Sequence, residues 1–331
     1  MDHPGRPPVT LEHVARAAGV SRATASRALT GSGPSAAGTR ERVQAVAEQL
    51  GYVADPVARA LVSGRGTRVV VAVTGMTADV LDDAYLARVV TTTARVSGAE
   101  GLGVALQWLP LDRPWPTLEQ LSRDRTVAGA VLVNTTAAVL AGLPRSLRGR
   151  AVSIGASSPD VPAFDVDNGH GVRVAVSHLV RSGRRRIAMI TGPAWLSCPE
   201  AGEASYAATV RAAGLPVRMV PGDFTVAAGR AGVHEVLRRW PDTDAVYAVC
   251  DDTALGALAV LQELGRQVPG DVAVAGFDDV PAAASSGPGL TTATHPVEQI
   301  AAAAAHAVLH RPDRGGGVTR FPSELVVRAS A

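Results

Sequence analysis

Residues 10–31 read TLEHVARAAGVSRATASRALTG. Leu11, Val14, Ala15 and Ala18 recur at helical spacing, and Thr10 before them is a residue type that caps helix N-termini. Gly19 stops that helix. Ser21 then caps a second one, from Arg22 to Leu29, so a short glycine-bearing turn separates the two. This layout predicts a helix-turn-helix. A loop follows to Gly38, then a third helix from Thr39 to Leu50, with Gly51 in the left-handed position after its end. A small three-helix bundle also serves protein contact, so periodicity alone does not decide. Three features favour nucleic acid. The second helix carries Arg22, Thr24, Ser26 and Arg27, types that reach phosphates and base edges. Arg40 and Arg42 open the third helix. Residues 1–68 hold nine Arg against five acidic residues, whereas the rest of the chain holds 23 against 25. A positive excess confined to that segment points to an anionic partner.

Around this segment lies a chain of 331 residues, 47% hydrophobic and 19% charged. That is enough apolar material for more than one domain core, and it excludes global disorder. All 32 basic residues are Arg, which reflects GC-rich coding sequence. Two cysteines exclude a disulfide scaffold and a four-cysteine zinc site. No stretch is apolar for the ~18 residues of a membrane span, and residues 1–16 lack the apolar run of an export signal. A cytoplasmic location is expected. Residues 52–67 hold Asp55-Pro56, a good helix start, but Val57–Val62 gives under two turns before Gly64. So short a helix forms only when something docks against it, because nucleation is costly. By spacing alone the segment reads rather as a plain linker.

From Arg68 onward, short apolar runs alternate with helical stretches. Strands are predicted at Val69–Val73, Gly103–Gln107, Gly129–Val133, Ala151–Ile154, Arg186–Ile190, Ala245–Val249 and Val272–Ala275. Helices are predicted at Ala84–Gly98, Gly169–Arg181 and Thr253–Leu264. The alternation argues for parallel α/β sheets, and the length for two doubly wound lobes rather than one barrel. Ligands of such sheets bind at the carboxyl ends of the strands.

The pattern V9-T-L-x-x-V14-A-x-x-A18-G-V-S21-x-x-T24-x-S26-R27-x-L29-x-G31, followed by T39-R-E-R-V43, L50-G-Y52 and A58-R-x-L61, resembles the DNA-binding region of the lac-repressor/galactose-repressor family of bacterial transcriptional regulators. The similarity continues through residues 165–193, 222–225, 244–257, 268–279, 290–296 and 322–330. It implies an N-terminal all-α helix-turn-helix domain (1–54), a hinge helix and linker (55–67), and an α/β effector domain (68–331) resembling the periplasmic sugar-binding fold. The chain would cross between the lobes near 163–167, 292–296 and 319–323. The N-lobe would then comprise about 68–164 and 293–321, and the C-lobe about 165–292 and 322–331. The DNA contacts implied are Thr10, Ser21, Arg22, Ala23, Thr24, Ser26, Arg27, Thr39 and Tyr52, with Arg22, Ala23 and Arg27 reading bases. Ala58 and Leu61 would belong to a hinge helix formed on specific DNA, with Leu61 as an apolar wedge in the minor groove. The implied partners are a palindromic operator, a second copy of the chain and a small sugar-like effector; no cofactor or membrane is implied. Effector contacts are expected from Met76, Tyr85, Trp195, Glu200, Phe224, Cys250, Asp251 and Asp278. Carboxylates accept hydrogen bonds from ligand hydroxyls, and an aromatic packs on a sugar ring. Core packing for Phe224 and capping for Asp278-Asp279 are the structural alternatives.

There are departures from the family pattern. Thr30 and Asp55 stand where many relatives have Asn. More consequential is Glu200, seven residues after Pro193, where sugar-binding relatives usually have Arg. Either the cleft takes a cationic or differently oriented ligand, or none with high affinity, or the loop shifts and another residue such as Arg211 serves. No nucleophile elbow, zincin or phosphate-loop motif occurs, which argues against an enzyme. A solute-binding protein of the same fold is the principal rival, and it would need export. No heptad segment follows Arg328, so a dimer is expected rather than a coiled-coil tetramer.

Overall fold

The computed structural model describes residues 9–30, 36–53, 66–196, 198–310 and 316–331. The chain divides into two compact units, Met1–Thr67 and Arg68–Ala331.

In the first unit, helices α1 (Leu11–Ala17), α2 (Arg22–Thr30) and α3 (Ala37–Leu50) pack on one another. Thr10 and His13 form a reciprocal capping box at the start of α1. Ser21 accepts the backbone N–H of Thr24 at 3.1 Å and so caps α2. Gly51 closes α3 at φ 65°. The core is built from small residues, Val14, Ala15, Ala18, Ala25, Ala28, Val43 and Ala47. Small side chains let three short helices approach closely, and tertiary packing is what stabilises helices of this length. Arg42 donates from Nε to the carbonyl of Ala18 at 3.2 Å, tying α3 to the end of α1. It is therefore engaged inside the domain. Third-helix positions start two residues before the expected Thr39, because Ala36 provides an extended N-cap without needing a side-chain bond.

The second unit contains two six-stranded sheets. The first sheet is wholly parallel, in the order β11-β5-β4-β3-β1-β2, from β1 (Arg68–Gly75), β2 (Gly103–Pro110), β3 (Val127–Val133), β4 (Ala151–Ile154), β5 (Ala163–Val166) and β11 (Val318–Phe321). The second runs β12-β10-β9-β8-β6-β7, from β6 (Ile187–Ile190), β7 (Met219–Val220), β8 (Ala245–Ala248), β9 (Ala273–Asp278), β10 (Thr291–Thr294) and β12 (Leu325–Val326). Only β12 is antiparallel there. The central strands are continuous Val, Ala and Ile runs buried along their length, as parallel strands covered on both faces must be.

The chain passes between the lobes three times: after Val166, after Thr294 and after Phe321. The first sheet thus keeps Asp165 and Val166, and the second keeps Thr294, so the three crossings fall inside the expected 163–167, 292–296 and 319–323. The crossing strands carry Phe, Asp and Thr and are four residues long. Their burial comes from pairing on a sheet, so hydropathy alone does not mark them. Helix α4 (Ala84–Ala99) packs against a later helix, α13 (Val297–His310), in the first lobe.

In the second lobe, α10 (Val226–Arg239) and α11 (Asp251–Glu263) meet backbone to backbone. A Cβ added at Gly229 would lie 2.0 Å from the carbonyl oxygen of Thr253, and one at Gly256 would lie 2.1 Å from that of Val226. Gly256→Ala should therefore force the helices apart and cost about 3 kcal/mol. Gly98→Ala, in α4 with nothing within 4 Å of the added carbon, should stabilise by about 0.5 kcal/mol. Urea-denaturation midpoints of the two variants would move in opposite directions if the contact is as described.

Candidate DNA-reading face and inter-lobe cleft

On α2 the small residues Ala25 and Ala28 face inward and are buried. Arg22, Ala23 and Arg27 lie on the opposite face and are exposed, with Thr24 and Ser26 half-buried between. The Thr24 hydroxyl pairs with Ser21 Oγ at 2.8 Å and receives Arg27 Nη2 at 3.5 Å. Thr10 is exposed, Thr39 half-buried, and Tyr52 packs against the helical core. The polar side of α2 is thus turned to solvent and free to meet a duplex. Ala58 and Leu61 lie outside the described residues.

In the larger unit, the carboxyl ends of both sheets open onto one cleft of about 1010 Å³, counting its open mouth. From the first lobe come Asp83, Tyr85, Asn134, Thr135 and Asp165. From the second come Phe224, Cys250, Asp252, Phe277 and Asp278, with His295 at the second crossing. Each follows or ends a strand, or opens a helix beside one, which is where an α/β sheet exposes groups. Asn134 and Asp278 hold left-handed backbone at φ 51° and 108°. Strained non-glycine positions of this kind persist where surrounding contacts over-determine them, often at ligand sites.

His295 is the junction of the cleft wall. Its Nδ1 lies 2.9 Å from Asp278 Oδ1, its ring stacks obliquely on Tyr85, and Phe277 meets it edge-on. Burial pushes the imidazole down to about 4, so it is neutral at physiological pH. The contact shares one proton, carried on Nδ1 or on the Asp278 carboxyl according to the tautomer. Burial also holds the Asp278 carboxyl well above the usual range, reinforced by Asp83 and opposed by Arg88. Asp165 is pushed up to about 6, chiefly by burial. Arg88 binds Glu298 through two contacts of 2.8 and 2.9 Å and reaches the carbonyls of Asp278 and His295.

Tyr85, Phe224, Cys250 and Asp278 of the expected effector residues line the cleft; four others do not. Met76 lies beyond β1 and is 68% exposed. Trp195 sits in a turn whose neighbour Leu196 faces the cleft instead. Glu200 is exposed on α9 (Cys198–Ala212), where Pro199 and Gly202 are the cleft-lining positions. Asp251 is fully buried beneath the cleft: it accepts the Val280 N–H at 2.9 Å and the Thr292 hydroxyl at 2.6 Å. One residue further round the first turn of α11, Asp252 takes the place expected of Asp251. Asp83, Asn134, Asp165 and His295 were missed by the sequence reading. Position immediately after an apolar run would have found Asn134; nothing local marks the others.

An exposed helix-turn-helix face on one unit and an acceptor-rich cleft in the other define a two-part DNA-binding regulator. Residues 10–55 match the model of the bacterial regulatory proteins, lacI family, and residues 176–331 the periplasmic binding protein-like domain. The HTH-type transcriptional regulator CelR of Thermobifida fusca is 33% identical over 346 residues, covering 99% of this chain and 97% of CelR. MalR of Streptomyces coelicolor is 30% identical, covering 97% of this chain and 96% of MalR. The solved CelR–cellobiose complex superimposes with a TM-score of 0.70 at 30% identity, covering 98% of this chain and 100% of that one. The lac repressor dimer bound to operator and the anti-inducer ONPF gives 0.84 at 23% identity, with 98% and 99% covered, a likeness of fold. The chain belongs to the lacI family and is a helix-turn-helix transcriptional regulator.

Asp251 supplies a test of the cleft floor. Burial, with Asp278 beside it, pushes its carboxyl up to about 8, far above the ordinary 3.8. A folded-state value above the unfolded one means that stability is full below pH ~4 and is lost as pH rises towards ~8. Asp251→Asn can still accept from Val280 and donate to Thr292, and it escapes that loss. Its melting temperature should match the wild type near pH 4 and exceed it at pH 8 by more than about 1 kcal/mol equivalent. Asp251→Ala, which orphans both partners, should be destabilised by about 2 kcal/mol near pH 4, and because it too lacks the titrating carboxyl, that deficit should shrink as pH rises towards 8.

Proposed function

We propose that this regulator is a cytoplasmic homodimer which represses transcription from a roughly palindromic operator, and that a small molecule bound between the lobes sets its grip. The observation that carries this reading is the division of α2: Ala25 and Ala28 buried, Arg22, Ala23 and Arg27 exposed. Two such helices, one per subunit, enter successive major grooves about 34 Å apart. Arg22 and Arg27 each make bidentate contacts to guanine, worth about 1–3 kcal/mol against a wrong base. Thr10, Ser21, Thr24, Ser26, Thr39 and Tyr52 position the domain on the backbone. Leu61, with Ala58 beside it, wedges the minor groove where the two subunits' hinge segments meet.

The effector belongs in the cleft lined by Tyr85, Phe224, Cys250 and Asp278, with Asp252 in place of Asp251. A ligand contacting both lobes favours one closure, operator favours one subunit arrangement, and each changes the other's affinity by the same factor. The cleft is a binding site rather than a catalytic one. Burial pushes the Cys250 thiol up, away from the reactive thiolate, and it lies against Thr253 and the Phe224 carbonyl.

Selection of duplexes from a random pool, followed by anisotropy titration, tests this. A palindromic site should emerge. Arg22→Ala and Arg27→Ala should each weaken it by about 10–100-fold, and Leu61→Ala should cost specific more than non-specific affinity. Phe224→Ala should leave DNA binding near wild type and lose the ligand response. Failure of any palindrome to enrich would remove the reading.

A further inference from the structure

The charged side chains lining the cleft are all acidic apart from neutral His295. Asp83 and Asp165 come from one lobe, Asp252 and Asp278 from the other, and no Arg is among the described lining residues. The guanidinium beside the cleft, Arg88, is committed to Glu298 and to two backbone carbonyls. On α9, a position facing the cleft is Gly202, which contributes no side chain. The carboxylates oppose one another across the gap. Asp252 raises the proton affinity of Asp83, and both raise that of Asp278. Asp252 accepts no hydrogen bond from the described residues, while Asp83 accepts one from the Tyr85 N–H at 2.7 Å.

A second observation, independent of charge, points to an absent occupant. Thr135 is 1% exposed, lines the cleft, and its hydroxyl has no partner. His295 Nε2 is likewise buried without one. Buried polar groups are normally paired, so these two atoms, which belong to residues lining the cleft, are available to a ligand or water there. The wall carries four carboxyl groups, against the hydroxyls of Thr135 and Tyr85 and the amides of Asn134 and Asn168. The Asn168 amide is already spent on Asp165 and the Val166 carbonyl. A neutral polyol offers lone pairs as well as hydroxyl protons and needs donors to match. An ammonium offers only protons.

We propose that the effector carries a protonated primary amine, held between Asp83 of one lobe and Asp252 of the other. This rests on the reading of the cleft as an effector site. A bare metal ion does not fit, because no group of three His, Cys, Asp or Glu among the described residues converges closely enough to hold one. The carboxylates are instead spread around a chamber of organic-molecule size whose walls include the rings of Tyr85, Phe224 and Phe277. The chemistry recognised is an amine on a hydroxylated ring, as in an amino sugar. The closure mechanism follows from the charges. Empty, the two lobes present like charge to each other and resist approach. An ammonium between them turns that repulsion into attraction on both sides, so ligand charge itself drives closure.

Calorimetry on the full-length protein with two matched sets tests this. One set is glucosamine, glucose and N-acetylglucosamine. The other is the β-1,4-linked glucosamine disaccharide, cellobiose and diacetylchitobiose. An amine should bind at least about tenfold more tightly than both of its neutral counterparts, and Asp252→Asn should bring it to within about threefold of them. Independently of any ligand, Asp252→Asn should raise the melting temperature of the empty protein by about 2 °C, by relieving the opposition. Three outcomes would overturn the inference: neutral sugars binding as well as amines, no amine binding at all, or an Asp252→Asn melt at or below wild type. Operator anisotropy with the same compounds separates this from the parent reading. An amine that binds without altering operator affinity sinks the regulatory reading and leaves the inference standing; cellobiose that binds and alters it, with amines inert, does the reverse.

Discussion

The imidazole Nδ1 of His295 pairs with the Asp278 carboxyl at 2.9 Å, at the point where the chain leaves the second sheet for the first lobe. The two lobes of the sensing unit depend on this small polar cluster. Arg88, on a first-lobe helix, is held by Glu298 and reaches back to the carbonyls of Asp278 and His295. Asp279 is fixed by Arg328 at 2.6 Å, which anchors the turn carrying the left-handed Asp278. Donors and acceptors buried together in low dielectric strengthen one another, and a partial set would be costly. These directional bonds at a crossing add to an apolar cluster that is continuous through both lobes, from Val73 and Ile154 to Met189 and Phe277.

The same cluster explains why the cleft is chemically biased. His295 is neutral because it is buried, so its hydrogen bond to Asp278 brings no compensating charge. Arg88 attracts Asp278 from behind without lining the cavity. The acidic residues facing the cleft thus meet no cation on the cleft side, and burial raises the proton affinity of each. Sites that bind ligand commonly carry such desolvation costs, since the groups that would stabilise the apo state would also fill the site.

The two units put different demands on their residues. In the helix-turn-helix unit a core of Ala and Val suffices because three helices close on one another within the 44 residues Val9–Tyr52. Local rules govern it: a cap, a glycine turn, a periodic face. In the larger unit, pairing partners are remote in sequence, as when Thr292 meets both Asp251 and Val326. Those contacts have no local signature.

What the sequence determined by itself follows from that difference. The caps Thr10 and Ser21, the turn at Gly19, the buried and exposed sides of α2 and the long Val-rich strands were all legible, because each is fixed by neighbours within a turn or two of chain. So was the presence of two α/β lobes, from the alternation of buried strands and helices. The short crossing strands β5, β10, β11 and β12 were not, since residues such as Phe164, Thr292 and Arg320 are placed by pairing rather than by apolar runs. Nor was the choice between Asp251 and Asp252. The sequence offers two adjacent carboxylates, and only the packing of α11 against β9 and β10 sends the first into the core and leaves the second facing the cleft, because successive side chains on a helix point about 100° apart.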